Sequence, residues 1–158
     1  MKAAATRTSK ETLQLATFYV GDLCLALEID QIQEVLRGMS VTLVPHAPPE
    51  VTGVVNLRGE VTTVLDLRRL LNLPPTPPSS ATRTLIVRSQ EESIGLVVDR
   101  VGDICTVETR SIVPPPPNVA SVDGRFFRGL SPRKSEIIVV LDLEETLHQS
   151  MSAANPPA

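Results

Sequence analysis

The chain has 158 residues and a formal net charge of -3, with 42% hydrophobic and 21% charged residues. This is the composition of one soluble globular domain, built around one core or from two small lobes. The negative charge and an aromatic content of only 3% argue against nucleic-acid binding, which needs a basic surface and stacking platforms. No apolar run approaches the roughly 20 residues that cross a bilayer, so direct membrane insertion is not expected.

The N-terminal part of the chain begins with a polar segment. Residues 1–14 lack the apolar stretch of a signal peptide, and a flexible N-terminal tail is expected there. Thr17–Ile29 then predicts a β-hairpin, because apolar and β-branched residues flank Gly21 and Asp22. Ile29–Gly38 fits both a helical face and a strand, so at most one or two turns of helix are expected.

The stretch Asn56–Val61, with the sequence NLRGEV, predicts a second hairpin. Gly59 allows the chain to reverse, and Arg58 stands at the tip. A rigid guanidinium with five donors suits a carboxylate on a partner. A solvated turn residue that pairs locally with Glu60 or Glu34 is an equally good interpretation of Arg58.

Proline-rich segments interrupt the rest of the chain. Leu73–Ser80 and Val113–Val119 predict stiff extended spacers, and each is also a candidate ligand for a proline-reading domain, an interpretation we favour less. Between them, Arg83–Asp99 predicts a third hairpin with a polar tip at Ser89–Ser93. The last residues, 151–158, are expected to form a disordered tail.

An internal repeat relates the two halves of the chain. Gly53–Leu71 aligns without a gap over Gly129–Leu147 at an offset of 76, and seven of the nineteen positions are identical. A second match, at an offset of 69, places Leu25–Val35 over Ile94–Ile104. The repeat predicts two copies of one small β unit, each running hairpin, connection, hairpin and short helix.

The local physics of each copy agrees with this prediction. The segments that contain Val64 and Ile137–Leu141 are apolar enough to be covered on both faces, as in a small closed barrel. Asp66 and Asp142 stand where a helix begins, and we favour helix capping over a catalytic role for both. Glu145 follows Asp142 by three residues, as the partner in a capping box does.

The sequence offers little chemistry. It has no phosphate-binding glycine pattern, no nucleophile elbow and no zinc-ligand spacing, and His46 and His148 are isolated from each other. Cys24 and Cys105 are expected to be buried thiols rather than a disulfide. These observations predict a protein that is not an enzyme and needs no cofactor or metal. A small-molecule-sensing β-barrel and a hydrolase with an unrecognised site are the rival interpretations.

Several of these segments together resemble the CheW family of bacterial chemotaxis adaptors. The segments are Gly53–Leu71, Ile94–Val107 and Ile137–Leu147, and the resemblance covers about residues 15–148. It implies a single CheW-like domain over 15–150 that is mainly β. Two SH3-like five-stranded barrels, over about 15–75 and 82–148, would share one core, with short helices.

The resemblance also implies a function without catalysis. Such a protein bridges the cytoplasmic tip of chemoreceptors and the regulatory domain of the histidine kinase CheA, in the cytoplasm at membrane-associated receptor arrays. Carried over by position, the receptor-facing groove would include Ile32, Glu34, Gly53, Val55, Asn56 and Arg58. The kinase-facing surface would include Val87, Gly95, Val97 and Val101.

The proline runs depart from the pattern of the family. Pro114–Pro117 and the linker Pro74–Pro78 are unusually rich in proline, which could alter how the two barrels are set against each other. They could equally mark an adaptor of twitching motility or of another chemosensory pathway, and the sequence leaves this alternative open.

Overall fold

The computed structural model describes residues 11–37 and 41–154, with side chains described through residue 148. The strands are, in chain order, β1 (Thr12–Val20), β2 (Leu23–Glu28), β3 (Ile32–Leu36), β4 (Val51–Leu57), β5 (Glu60–Asp66), β6 (Arg83–Ser89), β7 (Glu92–Val98), β8 (Arg100–Glu108), β9 (Asn118–Val119), β10 (Val122–Asp123), β11 (Phe127–Pro132) and β12 (Ile137–Leu141). The helices are α1 (Leu67–Leu70) and α2 (Leu143–Ala154), with 3₁₀ turns at Ile29–Gln31, Thr109–Ser111 and Gly124–Phe126.

The three predicted hairpins are confirmed as β1–β2, β4–β5 and β6–β7. The ambiguous stretch after the first hairpin forms only one 3₁₀ turn before β3. The predicted N-terminal tail, residues 1–14, ends too late in the sequence, because β1 begins at Thr12, which pairs with Glu108. Helix α2 likewise extends into the predicted tail 151–158, as far as Ala154. Residues 1–10 and 155–158 lie outside the described residues.

Ten of the twelve strands in the described part of the chain form two five-stranded mixed sheets, in agreement with the all-β prediction, and β9 and β10 form a separate two-stranded sheet. Sheet 1 has the order β11-β12-β2-β1-β8, and sheet 2 has the order β3-β6-β7-β5-β4. Each sheet contains one parallel pair, β12–β2 in sheet 1 and β5–β7 in sheet 2. The hydrogen-bond pairing of the described residues leaves each sheet with two edge strands, so closure into barrels stays a prediction.

The internal repeat is confirmed, but the two copies exchange strands. Sheet 1 combines the first hairpin of the first copy, β1–β2, with β8, β11 and β12 of the second copy. Sheet 2 combines β6–β7 of the second copy with β3, β4 and β5 of the first. The predicted division into barrels over 15–75 and 82–148 therefore does not match the sheets. The boundaries differ because long-range pairing, rather than sequence proximity, decides which hairpin joins which strands.

One apolar core lies between the two sheets, in agreement with the prediction that the two units share a core. It contains Phe18 and Leu25 from sheet 1, Leu85 and Leu96 from sheet 2, and Leu143 from α2. A second, smaller core covers the opposite face of sheet 1 and includes Leu15, Ala26 and Val140. On the opposite face of sheet 2, Val64 and Ile86 are fully buried. Both sheets are therefore covered on both faces.

The predicted helix caps are confirmed. The Asp66 carboxylate accepts a hydrogen bond from the Arg68 backbone N–H at 3.0 Å, and Asp142 accepts one from the Glu145 N–H at 3.0 Å. These bonds satisfy backbone donors that the first turn of a helix leaves free. The role of the Glu145 side chain in a capping box stays a prediction.

Both cysteines are free thiols, as predicted. Cys24 pairs with Tyr19 across β1–β2, whereas Cys105 is half-buried and pairs with Leu15 on the other side of β1. The two thiols therefore lie on the two strands that flank β1, opposite β1 residues that are four positions apart. This separation is beyond the reach of a disulfide. Burial raises the pKa of the Cys24 thiol.

Candidate functional site

The β4–β5 turn presents Arg58 to solvent. Arg58 and Gly59 have φ angles of 52° and 88°, and the residues on either side of them, Leu57 and Glu60, pair with each other. Two successive positive φ angles define the tight hairpin turn whose twist matches the strands. The Asn56 side-chain oxygen accepts a hydrogen bond from the Gly59 N–H at 2.9 Å, which fixes the turn.

Arg58 forms an ion pair with Glu34. Glu34 lies on β3 and Arg58 beside β4, which are the opposite edge strands of sheet 2, so the sheet curls until its edges approach each other. The hydrogen bond to Glu34 raises the pKa of Arg58. The local ion pair offered by the sequence is thus confirmed. Because 70% of the Arg58 side chain stays exposed, its outer donors remain accessible to a partner.

The other predicted receptor-facing residues lie at different depths around this ion pair. Asn56 is exposed, and Ile32 is half-buried against the shared core. Gly53 and Val55 are buried, with only 6% of Val55 exposed. The structure thus brings Glu34 and Arg58 together, with Asn56 fixing the turn beside them, whereas Gly53 and Val55 are buried within β4.

The predicted kinase-facing residues do not form one surface patch. Val87 is fully buried in the shared core, and Gly95 is buried on the opposite face of sheet 2. Their side-chain positions are therefore unavailable for direct contact in this structure, because β6 and β7 are central strands covered on both faces. Val97 is half-buried and lines a cavity of about 330 Å³ together with Pro77 and Pro78 of the linker.

Val101 is the most exposed of the predicted kinase-facing residues, at 38%. It lies on β8, an edge strand of sheet 1, rather than on the sheet that carries the other three residues. Ile104 on the same strand is 57% exposed. An edge strand of nine residues with exposed apolar side chains is a surface on which partners can pair or pack.

A groove lies between sheet 2 and α2, next to the Arg58 hairpin. Its volume is about 580 Å³. Its apolar lining residues are Val51, Val61, Leu65, Ile94 and Leu147, and its charged ones are Glu60, Arg88, Glu91 and Glu92. Val61, one residue beyond Glu60, is 75% exposed. The groove combines an apolar floor with a mainly acidic rim.

Sequence reasoning missed an ion pair that joins the two sheets. The Arg68 guanidinium on α1 donates two hydrogen bonds to the Asp99 carboxylate, at 2.7 and 3.1 Å, and a third to the Pro74 carbonyl at 2.7 Å. Asp99 also accepts from the Gly21 N–H, in the β1–β2 turn of sheet 1, at 2.8 Å. The pair therefore connects α1, the linker and the first hairpin.

We expect Asp99→Asn to destabilise the fold at neutral pH and to have little effect in acid. Arg68 lowers the pKa of Asp99. The carboxylate therefore stabilises the fold above about pH 4, its unfolded pKa, and this contribution is lost as the pH falls through the lower folded value. Because 35% of the Asp99 side chain is exposed, solvent screening limits the expected loss to about 1–2 kcal/mol at neutral pH.

Urea denaturation of both proteins at several pH values measures this difference. Glu108→Gln is the matched control, because the Arg110–Glu108 pair is exposed on both sides, at 87% and 59%. We expect the control to leave the unfolding free energy unchanged. A constant difference between wild type and Asp99→Asn at all pH values would contradict the assigned role of the charge.

Two features are absent from the described residues. No helix in this part of the chain is long and apolar enough to cross a membrane. No group of three or more His, Cys, Asp or Glu side chains in the same residues could hold a metal ion.

Comparison with known proteins identifies the family. The CheW-like domain model matches residues 14–151. The chain is 31% identical to a probable chemotaxis protein CheW of Rhizobium etli, over 89% of this chain and 91% of that protein. It is 28% identical to chemotaxis protein CheW of Bacillus subtilis, over 91% and 92%. The crystal structure of scaffolding protein TtCheW from Thermoanaerobacter tengcongensis superposes with a TM-score of 0.77, at 28% identity, covering 82% of this chain and 88% of that one.

The fold, together with the family match, therefore defines a non-enzymatic scaffold. The chain belongs to the CheW-like domain family. The resemblance seen in the sequence is confirmed, and with it the function of a chemotaxis scaffold.

Proposed function

We propose that this chain couples the cytoplasmic tip of chemoreceptors to the regulatory domain of a CheA-type histidine kinase. It would act in the cytoplasm at membrane-associated receptor arrays. Family membership over residues 14–151 supports this proposal. The observation that carries it is the Arg58 hairpin, where a charged side chain with accessible donors stands beside an apolar groove.

The receptor contact is proposed for the surface around Arg58. The tip of a receptor is helical, and a helix gains most by burying an apolar stripe in a groove. The exposed Val61 and the groove floor at Val51 and Leu65 offer such a surface. Arg58 and Glu34 at its side would set the register of the helix through complementary charges. Ile32, Gly53, Val55 and Asn56 then support this contact by holding the hairpin and the shared core.

The kinase contact is proposed for β8 of sheet 1, around Val101. This strand has an unpaired edge in the described part of the chain, and Val101 and Ile104 are exposed on it. Val97 is proposed as a second contact, at the border of the linker cavity. Val87 and Gly95 would act indirectly, by shaping sheet 2. The two partners would then meet different sheets and bind at the same time, which a coupling protein requires.

We expect Arg58→Ala to weaken receptor binding by about tenfold or more without unfolding the protein, as truncation of an interface hot spot does. The side chain is exposed and its turn is held by Asn56 and Gly59, so the fold does not depend on it. Titration of a soluble receptor-tip fragment into each variant measures the affinity. The matched control is Lys134→Ala, which removes the cation at the equivalent position of the other copy.

The control should bind the receptor fragment like wild type. Equal affinity of folded Arg58→Ala and wild type would contradict the receptor site while leaving family membership intact. Equal weakening by Arg58→Ala and Lys134→Ala would indicate a general effect of charge rather than a specific contact.

A second candidate is an adaptor of a different chemosensory pathway. The chain is 35% identical to protein FrzA of Myxococcus xanthus over 99 residues, 63% of this chain and 62% of that protein. Binding of kinases from several chemosensory systems of the same cell, compared side by side, would separate the two candidates. Preference for a kinase outside the chemotaxis system would favour the second.

A further inference from the structure

The two sheets correspond residue by residue. The pair Ile32↔Val87 in sheet 2 corresponds to Val101↔Phe18 in sheet 1 at the offset of 69. In the closing hairpins, Gly53↔Val64 corresponds to Gly129↔Val140 at the offset of 76. Two positions follow from these registers: Asp103 stands where sheet 2 has Glu34, and Lys134 stands where sheet 2 has Arg58.

The equivalent places in the two sheets are filled differently. In sheet 2, the Arg58–Glu34 ion pair closes the space between β3 and the β4–β5 turn, and Ile86 is fully buried on the strand paired with Glu34. In sheet 1, the corresponding residues include the shorter side chains Asp103 and Thr17. The described residues show no ion pair between Asp103 and Lys134.

A cavity of about 480 Å³ lies at this place in sheet 1, and we call it the sheet-1 mouth. It is lined by Thr17, Tyr19, Asp103, Cys105, Arg133, Lys134, Ser135, Glu136 and Ile138. Its volume is within the range of roughly 300–1,000 Å³ typical of small-molecule sites, and the open end of a curled sheet is a common place for them.

The polar groups of the sheet-1 mouth are held in place by their neighbours. The Thr17 hydroxyl donates to the Asp103 carbonyl oxygen at 2.6 Å, and the Tyr19 hydroxyl donates to Glu136 at 3.3 Å. The Arg100 guanidinium lies 3.7 Å from the centre of the Tyr19 ring, which orients the ring. A hydrogen bond with Cys24, burial and Glu136 raise the pKa of Tyr19 to about 12, so its hydroxyl remains a donor.

The charges of the sheet-1 mouth have both signs. Arg133 and Lys134 are exposed cations, and the described residues show no ion pair for either. Asp103 and Glu136 provide two carboxylates in the same lining. A polyanion would be repelled by these carboxylates, whereas a molecule with one carboxylate and one amino group complements both signs.

We propose that the sheet-1 mouth binds a small zwitterion of the size of an α-amino acid, with its carboxylate on Arg133 and Lys134 and its ammonium group on Asp103 and Glu136. The Tyr19 and Thr17 hydroxyls border the same space, and Ile138 provides an apolar wall. This site lies on a different sheet from the proposed receptor surface around Arg58. Asp103 and Cys105 of the site lie on β8, the strand proposed for the kinase contact, so the site is tested on the chain without its partners.

The test uses the full chain and each common amino acid as a probe, titrated to about 10 mM while backbone amide resonances are recorded. We expect at least one probe to shift the resonances of Arg133–Glu136 and Cys105, with a Kd below about 1 mM. The decisive variant is Asp103→Glu with Lys134→Arg, which copies the residues of sheet 2 and keeps every charge. It should close the mouth and weaken binding about tenfold or more.

Two further variants separate a specific contact from a general effect of charge. Arg133→Ala with Lys134→Ala removes the carboxylate contacts and should also weaken binding about tenfold or more. Arg125→Ala removes a cation outside the cavity and should leave the Kd unchanged. The proposal is overturned if no amino acid shifts these resonances, or if the charge-conserving variant binds like wild type while keeping a native spectrum. These titrations contain neither receptor nor kinase, so failure of the proposed coupling function would be detected separately from failure of this site.

Discussion

A fragment of residues 1–80, made without residues 81–158, is expected to show no cooperative unfolding transition. It contains the hairpins β1–β2 and β4–β5 and the single strand β3, whose partner β6 lies in the other half. Isolated two-stranded hairpins are marginal in water, and the fragment retains only its own side of the shared core. Far-UV circular dichroism with urea titration measures the loss. We expect the same result for residues 81–158 alone.

The two fragments mixed in equal amounts are expected to restore the transition. Association lets each first hairpin pair with the strands of the other copy and completes both sheets and the shared core. Size-exclusion chromatography of the mixture should show a 1:1 complex. A sigmoidal urea transition for residues 1–80 alone would contradict the strand exchange and would support one barrel per half.

Replacing Gly53 or Gly129 by Ala is expected to lower the free energy of unfolding by about 2–4 kcal/mol. A Cβ on Gly129 would come within 2.5 Å of the Val113 carbonyl oxygen, and one on Gly53 would overlap the Thr42 carbonyl oxygen. The obstructing atoms belong to backbone that pairs with the closing hairpins, through Thr42↔Val54 and Val113↔Leu130. The backbone cannot move aside without breaking these bridges. Urea denaturation of each variant gives the free energy.

Gly59 is the matched control for these substitutions. A Cβ there meets nothing within 4 Å, and asparagine tolerates its φ of 88° better than most residues. We expect Gly59→Asn to cost less than about 1 kcal/mol. If Gly53→Ala were as stable as wild type, the segment around Thr42 would be easily displaced. That result would contradict the close packing described above.

The sequence predicted the local elements well, because their signals are local. Gly21 and Gly59 lie at turns that need a positive φ, and their φ angles are 60° and 88°. The strands beside them are either alternately apolar and polar or continuously apolar. The aspartates before α1 and α2 cap them through bonds only two or three residues long. The repeat was visible because both copies share one glycine, Gly53 or Gly129, and the run Val-Leu-Asp-Leu at 64–67 or 140–143.

The exchange of strands could not be predicted in this way. Each first hairpin carries an apolar pattern that fits either set of closing strands, and the choice depends on contacts far apart in sequence. The burial of Val87 and Gly95 could not be predicted from the local sequence either, because it follows from the central position of β6 and β7 in sheet 2. The Arg68–Asp99 pair joins ordinary residues 31 positions apart, without a motif that marks either one.

Calorimetric titration of the full chain with the isolated regulatory domain of a CheA-type kinase from the same organism tests the proposed coupling most directly. We expect 1:1 binding with a Kd of about 1 µM or tighter. Val101→Asp on β8 should weaken this binding, and Arg58→Ala should leave it unchanged. Absence of binding at high concentration would contradict the assigned kinase partner, although the CheW-like fold and its family would stand.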